Sequence, residues 1–258
     1  MIYKSLDLQG KVAVVVGGTS GIGRVISKGL AQAGADLIPT GRRNDLVHDA
    51  AAEIESLGRR SLRIACDVHE RSSIQTVLDG AVKEFGKVEI LVYAAGITHR
   101  GPFLDVTEEG WQNVIETNLT GAFRTCQIFG SHMVQRGYGR IITVGSLGSY
   151  LGLNEVAAYA ASKAGLVSLT RTLAVEWAKY RVCVNAIVPG VFPTALNKEL
   201  LDGTPRGQEF LTRTPMKRFG KLEELVGGAI FLASDAASFV TGTTLHIDGG
   251  FLASGVNQ

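Results

Sequence analysis

The sequence predicts an α/β protein in which a doubly wound parallel sheet lies between two layers of helices. Short runs of aliphatic residues alternate with longer segments of helical periodicity, and 32 glycines supply tight turns between them. Strands that are apolar throughout are buried on both faces, and helical crossovers between parallel strands cover both sides of a sheet. The expected architecture is therefore a three-layer α/β/α sandwich.

Seven strands are predicted from the aliphatic and β-branched runs. In chain order they cover residues 11–16, 36–40, 62–65, 90–93, 140–144, 182–187 and about 243–247. Pro39 lies inside the second run, where a proline removes a ladder donor. We therefore expect that strand to end at Pro39 or to pair weakly.

The predicted helices carry apolar residues three and four positions apart. They cover residues 21–33, 44–57, 73–85, about 107–135, about 156–179 and about 223–234. The long irregular stretch 189–215 remains. Loops of this length in a compact domain usually serve function, so about 190–215 is expected to form a substrate lid.

Composition excludes several kinds of partner. A net charge of +2 gives no basic field for nucleic acid. Cys66, Cys126 and Cys183 are too widely spaced for a disulfide framework or a metal cluster, so we expect no metal and a reducing, cytoplasmic environment. The N-terminus lacks a signal-peptide pattern, and no apolar run reaches the ~20 residues that a membrane span needs, so no membrane partner is expected.

A glycine-rich turn follows the first strand and opens a helix. Its residues are Gly17, Gly18, Thr19, Ser20, Gly21, Ile22 and Gly23. In this setting Gly17 permits a sharp turn, Gly21 lets the backbone approach a pyrophosphate at the helix N-terminus, and Gly23 allows close helix–strand packing. Because no linker divides the chain, residues 1–258 are expected to form one dinucleotide-binding catalytic domain.

Two arginines follow the second strand, where such a domain selects its cofactor. An acid at the end of this strand typically holds the ribose hydroxyls of NAD, but the sequence here is Thr40-Gly41-Arg42-Arg43. Two guanidinium groups can bind a 2′-phosphate through charge-assisted hydrogen bonds. NADP(H) is therefore the predicted cofactor, and NAD(H) is the alternative if the arginines only begin a solvated helix.

Tyr159 and Lys163 are four residues apart in a predicted helix, so they share one face and lie one turn apart. A phenol has an unperturbed pKa of about 10, too high for acid–base work near neutrality, and a nearby ammonium group lowers that pKa. Ser146 follows the fifth strand, at the edge where open α/β sheets bind ligands. These three residues form the predicted proton-transfer site.

These motifs resemble the short-chain dehydrogenase/reductase family from residue 8 to the C-terminus. The glycine turn has the family's GxxxGxG spacing. The other matching segments occur in the family's order and are Asp67-Val68, Ala94-Ala95-Gly96, Asn118, Ser146, Tyr159 to Lys163, Pro189-Gly190 and Asp248-Gly249-Gly250. Two positions depart from the pattern: Val16 stands where the family has threonine, and Tyr93-Ala94-Ala95-Gly96 replaces Asn-Asn-Ala-Gly. Both positions mainly brace the sheet and its loops.

The resemblance implies a Rossmann-type oxidoreductase that moves a hydride between a nicotinamide cofactor and a secondary alcohol or ketone. In that family pattern Tyr159 is the general acid or base, Ser146 orients the substrate oxygen, and Lys163 tunes Tyr159 and binds the nicotinamide ribose. Asn118 holds a water that links Lys163 to solvent. Besides the glycine turn and the arginines, the implied cofactor-binding residues are Asp67, Val68, Ala95, Gly96, Tyr159, Lys163, Pro189, Gly190, Phe192 and Thr194. The family also implies a homotetramer that pairs through its two long helices and C-terminal strands.

The predicted small-molecule substrate is a sugar acid. Residues 96–100 and 213–220 resemble the branch of gluconate 5-dehydrogenases and 2-deoxygluconate 3-dehydrogenases, and basic side chains can anchor a carboxylate. The candidate substrate-binding residues are His99, Arg100, Ser146, Asn154 and Tyr159. The loops could also be basic simply because they are exposed.

Two other functions stay open. A 3-oxoacyl-(acyl-carrier-protein) reductase would share every catalytic element, and its acidic carrier protein could use the same basic loops. A non-catalytic NADP(H)-sensing module would use the same fold, but such a protein usually loses the tyrosine or the lysine.

Overall fold

The computed structural model describes residues 3–195 and 197–255. Within them, six strands form one sheet in the order β2-β1-β3-β4-β5-β6, and every neighbouring pair is parallel. The strands are β1 (Val12–Val16), β2 (Asp36–Thr40), β3 (Ile90–Tyr93), β4 (Gly139–Val144), β5 (Val182–Pro189) and β6 (Thr244–Ile247). The predicted doubly wound α/β class is confirmed.

Helices connect successive strands. They are α1 (Gly21–Gln32), α2 (Asn44–Ser56), α3 (Arg71–Phe85), α4 (Glu108–Ile115), α5 (Gly121–Arg136), α6 (Ala157–Trp177), α7 (Lys198–Leu201), α8 (Pro205–Arg213) and α9 (Val226–Ala233). In the part of the chain that the structure describes, none of the helices is long and apolar enough to cross a membrane.

The core lies on both faces of the sheet because successive strand residues point to opposite sides. Val14 of β1 packs in a cluster with residues of α3, α5 and α6, whereas its neighbour Val15 packs in a second cluster with residues of α1 and α9. Every residue of β1, β3, β4 and β5 is buried. The predicted three-layer arrangement therefore holds.

The predicted strand at 62–65 is wrong, so the described sheet has six strands instead of about seven. The segment does lie beside β2: the Leu37 N–H donates to the Arg60 carbonyl at 3.0 Å, and the Cys66 N–H donates to the Gly41 carbonyl at 2.9 Å. Midway between these two bonds stands Pro39, which has no N–H to donate. The ladder is broken there, although β2 itself continues to Thr40.

Two long segments also differ from the prediction. The helix expected at 107–135 is interrupted by a wide π-type turn, Glu116–Thr120, between α4 and α5. The stretch 189–215, expected to be irregular, contains α7 and α8. Residue 196 of the predicted lid lies outside the described residues.

Candidate active site

The candidate site lies at the carboxyl ends of the strands, where the strand order reverses between β1 and β3. Ligands of open α/β sheets bind in the crevice at such a point. The glycine turn follows β1, Gly96 follows β3, Ser146 follows β4 and Gly190 follows β5. The topology therefore brings the separate sequence motifs to one edge of the sheet.

The backbone of the glycine turn is packed so closely that side chains at Gly17 and Gly23 would collide with neighbouring backbone atoms. Gly17 has a φ of +81°, and a Cβ there would lie 2.5 Å from the Ala95 nitrogen. A Cβ on Gly23 would lie 2.1 Å from the Gly17 carbonyl oxygen. Ser20 precedes α1 without forming a side-chain cap, which leaves the first N–H groups of the helix for a ligand. This cradle fits the pyrophosphate of a dinucleotide.

The end of β2 lies against the glycine turn. A Cβ on Gly41 would lie 3.0 Å from the Thr19 hydroxyl oxygen. Arg42 and Arg43 are exposed, and neither guanidinium contacts a partner among residues 3–195 and 197–255. Two cations at this position fit an anionic group on the adenosine half of a dinucleotide.

The Asp67-Val68 segment lies beside the same strand end, because the Cys66 N–H donates to the Gly41 carbonyl. The Asp67 carboxylate accepts a hydrogen bond from the His69 N–H at 3.0 Å, and Val68 is buried. The carboxylate therefore shapes its own loop.

Lys163 is the buried cation of the site. Only 4% of the residue is exposed, and its Nζ donates a hydrogen bond to the Val144 carbonyl at 2.7 Å. Nζ lies 5.8 Å from the centre of the Tyr159 ring, one turn earlier on α6. Burial lowers the pKa of Lys163 to about 8, because a charged amine is poorly solvated there.

Tyr159 has a raised pKa. Burial is the main cause and raises the pKa. Hydrogen bonding with the Ser146 hydroxyl lowers the pKa, but by less than burial raises it. The expected lowering by Lys163 is not seen in the protein alone, since the amine points to the Val144 carbonyl. The phenol is therefore protonated at neutral pH.

Ser146 is held by a short turn. Its side chain accepts from the Gly148 N–H at 3.1 Å, and its own N–H donates to the Ser149 hydroxyl at 3.2 Å. The Ser149 hydroxyl in turn donates to the Lys163 carbonyl at 3.0 Å. Ser149 thus ties the end of β4 to α6. No sequence motif marks Ser149, so this residue was not predicted.

Asn118 lies in the wide turn and is completely buried. Its Oδ1 accepts from the Ile97 N–H at 2.8 Å, and its Nδ2 donates to the Ile97 carbonyl at 2.9 Å and to the Ser162 hydroxyl at 3.0 Å. A Cβ on Gly96 would lie 3.4 Å from both Asn118 Oδ1 and Lys163 Nζ. Asn118 therefore joins the loop after β3 to α6, beside the buried amine.

The segment after β5 faces the glycine turn: a Cβ on Gly21 would lie 4.0 Å from Thr194 Cγ2. Asn197 fastens this segment. Its Oδ1 accepts from the Thr194 N–H at 2.7 Å, and its Nδ2 donates to the Phe192 carbonyl at 3.0 Å. Asn197 was not predicted, because no spacing signal in the sequence identifies it.

Several basic residues of the loops around the site are already bound to carboxylate or carbonyl groups of the protein. The Arg100 Nε lies 2.6 Å from the Glu155 carboxylate, and Arg206 donates to the Asn154 carbonyl at 3.3 Å. Arg218 binds both carboxylate oxygens of Glu224. The positive charge expected around the substrate is therefore partly neutralised. His99 lies against α4, beside Gly110.

Comparison with known proteins identifies the group to which this fold and site belong. Residues 16–252 match the family described as enoyl-(acyl carrier protein) reductase. The chain is 39% identical over 260 residues to 2-dehydro-3-deoxy-D-gluconate 5-dehydrogenase of Escherichia coli K12, covering 98% of this chain and 100% of that protein. It is 38% identical over 245 residues to the 3-oxoacyl-(acyl-carrier-protein) reductase of the same organism, covering 95% and 98%.

A solved structure agrees closely with the fold. The gluconate 5-dehydrogenase of Burkholderia cenocepacia, crystallised with NADP and tartrate, superimposes with a TM-score of 0.94 at 35% identity and covers 97% of this chain and 98% of its own. The matches extend over nearly the whole chain. The protein therefore belongs to the short-chain dehydrogenase/reductase family of oxidoreductases.

Proposed function

We propose that the protein is an NADP(H)-dependent dehydrogenase that interconverts a secondary alcohol and a ketone on a sugar acid, such as gluconate and its keto form. The observation that carries this proposal is the placement of Tyr159, Ser146 and a buried Lys163 at the sheet edge that also holds the glycine turn. The proposed acid–base groups and the glycine turn proposed to bind the dinucleotide thus lie at the same edge of the sheet.

Tyr159 moves the proton in this proposal. When a ketone is reduced, the protonated phenol donates its proton to the carbonyl oxygen. When an alcohol is oxidised, Tyr159 must first lose its own proton, and its phenolate then takes the hydroxyl proton. Ser146 hydrogen bonds to the same oxygen and orients it. Lys163, with a pKa lowered to about 8 by burial, can exchange a proton near neutral pH and restore that of Tyr159. The nicotinamide cofactor, when bound, exchanges a hydride with the substrate carbon.

The chain's residues suit NADP(H). The cradle at Gly17 and Gly23 would hold the pyrophosphate, Arg42 and Arg43 the 2′-phosphate, and Thr194 the nicotinamide amide. The B. cenocepacia relative contains NADP, which supports this preference. A catalytic efficiency tenfold better with NAD(H) would overturn it.

The sugar-acid substrate is supported by the two gluconate-type relatives and by the basic side chain of Arg100 in the loop that follows β3. Residues 190–215 would form the lid, with α8 contacting the Asn154 carbonyl through Arg206. A carboxylate that binds Arg100 must compete with Glu155, its present partner. Arg100→Ala is therefore expected to raise the KM for a sugar acid and to leave that for a neutral polyol unchanged. Absence of activity on every aldonate would discard this substrate class.

A second candidate is a 3-oxoacyl-(acyl-carrier-protein) reductase, which the 38% identity to the E. coli enzyme favours. Acetoacetyl thioesters assayed beside gluconate with both nicotinamide cofactors separate the two. We disfavour a non-catalytic sensing module because both Tyr159 and Lys163 are present. Cofactor binding without turnover on a broad panel of alcohols and ketones would revive it.

We also propose a cytoplasmic homotetramer. The side chains of Leu104, Phe123 and Val175 are large, apolar and exposed. Leu104 lies just before α4, and Phe123 and Val175 lie on the long helices α5 and α6. The edge strand β6 is only partly covered. Cys66, Cys126 and Cys183 are free and buried, which suits a reducing compartment. Light scattering after size exclusion tests the assembly, and a monomer would contradict it.

A further inference from the structure

Tyr93 is the last residue of β3 and is completely buried, although it carries a hydroxyl group. The hydroxyl donates a hydrogen bond to the Thr117 carbonyl oxygen at 2.5 Å. Thr117 immediately precedes Asn118 in the wide turn. The end of a central strand is therefore joined directly to the turn that carries the buried amide of the candidate site.

The wide turn needs such an anchor. The Gly121 N–H donates to the Glu116 carbonyl, five residues back, so the regular four-residue pairing of the helix is lost locally. Thr117 is held from two sides, because its Oγ1 also lies 2.8 Å from His69 Nε2. The turn is thus tied both to β3 and to the loop beside β2.

The Tyr93 hydroxyl lies against Gly121, where a side chain would collide with it. A Cβ on Gly121 would lie 2.7 Å from the hydroxyl oxygen and 2.9 Å from Val68 Cβ. Burial also raises the pKa of Tyr93 well above its usual value, so the group stays a hydrogen-bond donor at working pH. Tyr93 stands where the family pattern has asparagine, and its longer side chain reaches the turn directly.

We propose that Tyr93 is a positioning residue for the reaction: through Thr117 it fixes the wide turn and so holds the Asn118 amide beside Lys163. The inference rests on the proposed function. Asn118 in turn holds both backbone polar groups of Ile97 and the Ser162 hydroxyl. A shift of the turn would therefore move the loop after β3 relative to α6.

Tyr93→Phe removes one oxygen and keeps the ring. We expect kcat to fall about tenfold or more, since a buried carbonyl loses its partner, while the KM values for substrate and cofactor stay within about twofold. Tyr138→Phe is the matched control. It removes the hydrogen bond to Asp235 at 2.8 Å, at the opposite end of the sheet, and should lower stability without changing kcat. A Tyr93→Phe enzyme with wild-type kcat would overturn the inference.

A double-mutant cycle separates positioning from general loosening of the fold. If Tyr93 acts through Asn118, the kcat of Tyr93→Phe/Asn118→Ala should equal that of Asn118→Ala alone. Multiplying effects would overturn the inference. If Tyr93→Phe does not fold, His69→Ala, which releases Thr117 from its other side, replaces it in the same cycle with the same criteria. A wild-type protein without turnover would instead contradict the proposed function.

Discussion

Lys163 Nζ lies 5.8 Å from the centre of the Tyr159 ring but gives its hydrogen bond to the Val144 carbonyl, at 2.7 Å. Burial affects the two groups in opposite directions: it lowers the pKa of the lysine to about 8 and raises that of the tyrosine. Because both charged forms are disfavoured, the phenol stays protonated near neutral pH and the amine can exchange its proton. Tyr159 is thus prepared to donate a proton to a ketone.

The buried amine predicts a characteristic pH dependence of stability. The folded pKa of Lys163 is about 8, whereas the ordinary pKa of a lysine is 10.5. The unfolded chain therefore binds more protons between these values, and stability rises with pH there. The test compares the unfolding free energy of the wild type with that of Lys163→Met. In the difference between the two, the contributions of all other titrating groups cancel. The wild-type unfolding free energy should gain up to about 3 kcal/mol relative to the variant from pH 8 to above 10.5, as measured by urea denaturation. A constant difference would contradict this.

The glycine cradle predicts a sharp difference between two glycine variants. Gly23→Ala places a Cβ 2.1 Å from the Gly17 carbonyl oxygen, so the turn must shift and the dissociation constant for NADPH should rise at least ~10-fold. Gly227→Ala on α9 meets nothing within 4 Å. It should leave cofactor affinity unchanged and add up to about 1 kcal/mol of stability, because alanine favours a helix. Fluorescence titration measures both affinities; equal affinities would refute the cradle.

The guanidinium groups of Arg42 and Arg43, after β2, predict cofactor selectivity. Arg42→Ala/Arg43→Ala should raise the KM for NADPH about 10- to 100-fold, since charge-assisted hydrogen bonds to a phosphate are lost, and change that for NADH less than about threefold. The control variant Arg136→Ala/Arg171→Ala removes the same charge from exposed helical positions. Steady-state kinetics with both cofactors provide the test. Parallel changes for NADPH and NADH would show that the arginines do not read the 2′-phosphate.

Periodicity was sufficient to predict the buried strands and the sheet class, because burial on both faces leaves a continuous aliphatic run. It failed at 62–65, where the residue types suit a strand but Pro39 on the neighbouring strand removes the central ladder bond. Periodicity did not reveal the wide turn at Glu116–Thr120 either, because the turn continues the helix and no glycine or proline within it marks a break.

The four-residue spacing predicted that Tyr159 and Lys163 share one helical face. It could not show which group accepts the hydrogen bond of the Lys163 amine. The Val144 carbonyl is distant in sequence and becomes a neighbour only when β4 packs on α6. The same holds for the pairing of Arg100 with Glu155 and for the bond from Tyr93 to Thr117. Contacts between loops depend on tertiary packing, and single-sequence patterns carry no signal for them.

The most direct test of the central claim is the turnover of Tyr159→Phe. With NADPH and a keto sugar acid, kcat should fall at least ~10²-fold, the contribution of one acid–base group, while fluorescence titration still detects cofactor binding. Tyr138→Phe, which loses a hydroxyl far from the crevice, should keep its turnover. A Tyr159→Phe enzyme that turns over at nearly the wild-type rate would show that this phenol does not transfer the proton.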